Sequence, residues 1–131
     1  MTSWTITLPW ADRLPITANE ARSKVHFRTQ HSTKVLVHEA MGWLIRDAGI
    51  PPMTARVSLL LTWQMPDRRR RDFDSPSWLL KALADALVVH GVLTDDSWPY
   101  VGEGTMRVLP PVRGQAGFMT LEIVEAGEVA A

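Results

Sequence analysis

Apolar side chains fall on both faces of the extended stretch 55–65. Val57, Leu59, Leu61 and Trp63 point one way, and Ser58, Leu60, Thr62 and Gln64 point the other. A strand with apolar groups on both sides needs neighbours that cover it, so this segment is expected in the interior of a sheet. The rest of the chain must then supply partner strands and a covering layer.

Thr5, Ile6, Thr7 and Leu8 read as a short strand stopped by Pro9. Residues 10–27 show no clean period and read as a long loop, a kind of segment often functional in small domains. Ser32-Thr33 is a plausible N-cap for a helix whose apolar stripe is Val35, Leu36, Ala40, Trp43 and Leu44, widened by Ile45 and Ala48. Gly49 and Pro51-Pro52 stop it. Pro76 suits the first turn of a second helix, with Asp74 or Ser75 as N-cap. Leu79, Leu80, Leu83, Ala86 and Leu87 form its stripe, and Gly91 closes it. Residues 100–109 and 118–125 read as two last strands. The order β-α-β-α-β-β predicts an α+β fold, a small mixed sheet with two helices. One domain is expected over residues 1–125, with 126–131 as a loose tail.

The chain has 131 residues and no cysteine, so disulfides and thiolate metal sites are excluded. No apolar run is long enough to span a bilayer, and the first eight residues do not resemble a secretion signal. A cytoplasmic location and no membrane partner are expected. The 14 basic and 14 acidic residues cancel, so any nucleic-acid role rests on local arrangement of charge.

That arrangement is concentrated between Pro66 and Asp96. Arg68, Arg69, Arg70 and Arg71 form an unbroken run, followed at once by Asp72 and Asp74. In an extended stretch the two carboxylates share a face and repel each other unless a cation sits between them. Asp95 and Asp96 follow the second helix. Convergence of Asp72 and Asp74 with a carboxylate of the Asp95-Asp96 pair would make an open oxygen site for a hard cation such as Mg²⁺. Such a site suits phosphoryl chemistry, with Lys81 aimed at the scissile phosphate and the arginines contacting the backbone. Ser77, Lys81 and Asp85 share one helical face.

Blander readings stand beside each of these. An Asp-x-Asp is often a turn or a helix cap, Arg68 to Arg71 could be a solvated run, and Lys81 could simply pair with Asp85. Asp95-Asp96 are ordinary turn residues. His26, His31, His38 and His90 lack metal-ligand spacing, and Glu20 and His26 sit in the long loop. Of the six tryptophans, Trp43 and Trp63 read as core, while Trp10, Trp78 and Trp98 lie near loops or helix ends, where stacking on bases is an alternative to packing.

The ordered set Pro66-Asp67-Arg68-Arg69-Arg70-Arg71-Asp72-Phe73-Asp74, Leu80-Lys81-Ala82, Asp85-Ala86-Leu87, Gly91-Val92-Leu93 and Asp95-Asp96 resembles the signature of RusA-like Holliday junction resolvases. The opening Ile6-Thr7-Leu8-Pro9-Trp10, with Asn19 following, is similar to that family's start. The resemblance implies catalytic aspartates at Asp72, Asp74 and Asp96 and an essential lysine at Lys81. It also implies a homodimer that nicks opposed strands of a four-way DNA junction with Mg²⁺ or Mn²⁺, of a kind often encoded by phages and prophages. Ser75 stands where the family usually has asparagine, and the interval from Asp74 to Lys81 is longer than in its best-known member. Those departures motivate a second expectation, a catalytically impaired branched-DNA-binding protein of the same fold. A third is a small α/β module binding a protein partner through its charged loop. A small-substrate phosphatase lacks a glycine-rich phosphate loop.

Overall fold

The computed structural model describes residues 2–17 and 27–125. The order is β1 (Ser3–Thr7), α1 (Phe27–Ala48), β2 (Val57–Gln64), α2 (Ser77–Val89), β3 (Val101–Leu109) and β4 (Phe118–Glu125). This is the α+β arrangement expected, two helices and a four-stranded mixed sheet. Asn19, Glu20, His26 and the 126–131 tail lie outside the described residues.

Strand order across the sheet is β1-β4-β2-β3. β2 is hydrogen-bonded on both sides, antiparallel to β4 and parallel to β3. The interior place expected for 55–65 is therefore found. Parallel pairing requires a crossover between β2 and β3, and α2 provides it. Val57, Leu59, Leu61 and Trp63 join Met119, Leu121 and Ile123 of β4 and Ile6 of β1 in one buried face. Val37, Met41, Leu79, Leu83 and Leu87 from the two helices complete the same core. On the opposite face of β2, Ser58, Leu60 and Thr62 are half-buried and Gln64 is buried.

Both helices end as their glycines foretell. Gly49 has φ 65°, its N–H donates to Arg46 O at 3.1 Å, and the Ile50 N–H donates to Ile45 O at 3.2 Å. Gly91 repeats the motif with φ 77°, donating to Val88 O, while Val92 donates to Leu87 O at 2.8 Å. These are Schellman closures, in which a left-handed residue lets the chain turn back on its last free carbonyls. Ile50 and Val92 are both buried and anchor the turns.

Three sequence expectations about the helices are corrected. α1 is helical from Phe27, so Ser32 and Thr33 lie inside it rather than capping it. Its buried stripe is Thr33, Val37, Met41 and Ile45, leaving Val35 and Leu36 exposed, and Trp43 is 66% exposed rather than core. Arg46 lies over the Trp43 ring, 5.1 Å from its centroid. Helix α2 is capped by Pro76 with no side-chain cap bond, so neither Asp74 nor Ser75 is its N-cap. Ser75 N–H donates to Asp72 O and Ser77 N–H to Asp74 O, closing the entry with backbone turns.

Trp63 is core as expected, and its indole N–H donates to Ala11 O at 2.8 Å. Trp10 and Trp78 are partly buried against the core, while Trp98 is 72% exposed. No helix among the described residues is long and apolar enough to cross a membrane.

Candidate functional site

The rotation of α2 determines which of its polar groups face outward. Burying a leucine stabilises by roughly 1.5–3 kcal/mol, whereas an exposed ion pair gives about 0.5 kcal/mol. The buried Leu79, Leu83 and Leu87 thus set the helix's orientation, and Lys81 and Asp85 come to the surface one turn apart.

Lys81 Nζ donates to Asp85 Oδ1 at 3.0 Å and also to Asp96 Oδ2. Lys34 of α1 stands 3.5 Å from the other Asp85 oxygen. Two ammonium groups and two carboxylates are thereby gathered from α1, α2 and the loop after α2. That loop is fixed at both ends. Val92 and Leu93 are buried at its start, and near its finish Arg56 Nε donates to Trp98 O at 2.8 Å and Val57 N–H to Tyr100 O at 2.9 Å.

The hydrogen bonds to Asp96 and Asp85 raise the Lys81 ammonium above the usual lysine value. Burial alone would push the Asp85 carboxyl up, but its hydrogen bonds and the charges of Lys81 and Lys34 outweigh burial and the net shift is downward. The cluster borders a cleft of about 260 Å³ between α1 and α2, with His31, Lys34 and Trp78 on its walls. The sequence showed the Lys81–Asp85 spacing, but Lys34 and His31 reach the cleft only through the packing of the two helices.

The arginine run divides into different roles. Arg71 folds inward, its side chain 16% exposed, donating to Asp67 Oδ1 at 2.9 Å with its guanidinium 5.8 Å from the Trp63 ring centroid. In this structure its guanidinium is occupied by Asp67 and the Trp63 ring. Arg71, together with the Arg69 N–H, holds the Asp67 carboxyl below its ordinary value. Arg70 lies 3.3 Å from Asp72 and is almost fully exposed. Arg69 borders a second cleft with Asp12, Arg13 and Ser75, and Arg68 is exposed at a third.

Of the expected catalytic residues, the structure joins Lys81 to Asp96. Asp72 is instead engaged by Arg70, Asp95 accepts the Ser97 hydroxyl at 2.7 Å, and Asp74 is half-buried at the entry to α2. Among the described residues no three His, Cys, Asp or Glu side chains are grouped closely enough to hold a metal ion. As donors, Asp72, Asp74 and Asp96 form the all-oxygen set that Mg²⁺ or Mn²⁺ prefers. In this conformation Asp72 and Asp96 are each paired with one of the chain's own cations.

No model of a known protein family matches the chain, and no curated protein sequence does.

Proposed function

We propose that the chain is a metal-dependent endodeoxyribonuclease acting on branched DNA, resolving four-way junctions by hydrolysis of paired phosphodiesters. The observation that carries this reading is the contact of Lys81 with Asp96. Two residues separated by 15 positions, both at places where the RusA-like resemblance implies functional groups, meet on the outward face of α2. The arginine-rich segment leads directly into the same helix.

To hold Mg²⁺, Asp72 and Asp96 would have to leave Arg70 and Lys81 and converge with Asp74, with Asp95 beside them. A bound ion supplies charge neutralisation and a water of lowered pKa. Lys81 carries a permanent positive charge at neutral pH and can donate to a phosphate oxygen as negative charge builds there. Arg68, Arg69 and Arg70, exposed on the segment before α2, contact the backbone without reading sequence. A homodimer would present two such sites to opposed strands.

The test is cleavage of a synthetic four-way junction with Mg²⁺, comparing wild type with Asp74→Asn. Asp74 accepts the Ser77 N–H through its main chain, a contact that the substitution retains. Wild type is expected to nick the junction, and Asp74→Asn to bind it without cutting. Parallel loss of binding and folding in the variant would refute a catalytic Asp74. A second reading, junction binding without cleavage, is favoured by the ion pairs that Asp72 and Asp96 already make. It predicts binding by wild type and no Mg²⁺-dependent nicking.

A further inference from the structure

We propose that Arg113, on the connection between β3 and β4, forms with Arg68 a second binding site for a nucleic-acid backbone phosphate, separate from the Lys81–Asp96 cluster. The inference rests on the nucleic-acid part of the reading above and adds a residue from the far end of the chain.

The two arginines line a cleft of about 490 Å³ between the segment after β2 and the β3–β4 connection. No acidic side chain lines it, whereas Asp85 lines the α1–α2 cleft and Asp12 the one beside Arg69. Arg68 and Arg113 have no hydrogen bond or ion pair among the described residues. Their neighbours Arg70 and Arg71 are ion-paired with Asp72 and Asp67, although Arg70 is almost fully exposed. The guanidiniums of the region without an ion-pair partner therefore lie at this cleft and at Arg69.

The walls are fixed before any ligand arrives. Gln64 is buried and its amide donates to Pro110 O, while Met65 N–H donates to Leu109 O at 3.0 Å. Gly117 lies so close to the backbone of Gln64 and Pro66 that an added Cβ would stand 2.7 Å from Gln64 O. Gln115 N–H donates to Val112 O at 3.0 Å, and Gly114, with φ 79°, occupies the third position of that turn. Such a turn needs a left-handed residue there and places Arg113 at its corner. Pro66 and Pro111 stiffen both walls. Two exposed guanidiniums on rigid, acid-free walls suit an anion of spread charge, which a phosphodiester provides.

The experiment measures binding of a fluorescent four-way junction, without divalent metal, by anisotropy over a range of salt. Wild type, Arg113→Gln, Arg68→Gln and Arg113→Lys are compared, with circular dichroism and thermal melts on each to confirm folding. Each glutamine variant is expected to bind about 3- to 10-fold more weakly and to lower the salt slope by about 1, while the lysine variant keeps most of the slope. Unchanged affinity and slope in a folded Arg113→Gln overturn the proposal, as does absence of DNA binding by wild type. Cleavage with Arg113-independent binding sinks this site and leaves the nuclease reading standing. Arg113-dependent binding without Mg²⁺-dependent cleavage does the reverse.

Discussion

The Lys81 ammonium bridges two carboxylates, Asp85 one turn along its own helix and Asp96 beyond the end of that helix. The bridge ties the 91–100 loop to α2 and places a fixed cation on the surface. If Lys81 stabilises a phosphoryl transition state, Lys81→Met should lower junction cleavage by about 10²-fold or more, with junction affinity changed much less. Single-turnover cleavage beside metal-free binding checks this. Equal losses in the two assays would make Lys81 a binding residue only.

The same cluster predicts a pH signature. Lys81 is raised in the folded chain, so its contribution is full below the ordinary value of 10.5 and disappears as pH climbs through the folded value. Asp85 is lowered, so its contribution is full above 3.8 and disappears as pH falls through its folded value. Melting temperatures of Lys81→Met should decline less steeply than those of wild type above pH 10.5. The acid limb should shrink without vanishing, because Lys34 still faces Asp85.

A second acid-sensitive group lies between the helices. Burial, aided by the Lys34 charge, holds His38 below 6.5, and its Nε2 is buried without a hydrogen-bond partner among the described residues. A depressed histidine stabilises the fold fully above its unfolded value and loses that contribution as pH falls through the folded one. Stability should begin to fall below pH 6.5, well before the carboxylates titrate. Urea midpoints of His38→Gln that match the wild-type slope across that range would exclude His38 as the source.

Adjacent arginines should behave unlike one another. Arg71→Ala loses the stacking on Trp63 and should cost about 1 kcal/mol, while Arg70→Ala should stay within about 0.5 kcal/mol. Urea denaturation measures both. In metal-free junction binding the ranking should invert, with Arg70→Ala flattening the salt dependence more.

Gly117→Ala should cost about 1–3 kcal/mol, because the new methyl meets backbone of Gln64 and Pro66 within 3 Å, which cannot rotate away. Gly104→Ala is the control, since its nearest neighbour is the Leu80 Cδ2 at 3.6 Å, an ordinary contact. Similar thermal melts for the two variants would contradict the close packing of the β3–β4 connection on β2.

The succession of elements was legible because its punctuation is chemically unambiguous. Gly49 and Gly91 adopt the left-handed conformation that helix exits need, and Pro9 and Pro110 stand just past β1 and β3. The face of α1 was not legible. Leu36, Ala40 and Trp43 make one helical stripe, and Val37, Met41 and Ile45 make another, with Thr33 extending the second through its methyl group. Periodicity identifies stripes but does not say which one meets the sheet. The arginine run posed a similar difficulty. Four identical residues in a row carry no hint that Arg71 alone finds an indole ring, because Trp63 comes alongside only through the turn after β2. At the site, the i,i+4 relation of Lys81 and Asp85 could be read from helix geometry, but the approach of Asp96 depends on how the 91–100 loop is pinned.

The strand order has a consequence for synthesis. Of the four strands, the first to leave the ribosome, β1, pairs with β4 alone, and β4 is the last. During translation β1 must therefore wait, unpaired, until nearly all the described chain has emerged. Its edge is exposed to wrong partners throughout that interval. A nascent chain stalled before residue 118 would lack the strand that joins β1 to β2, so assembly of the sheet is gated by its last strand.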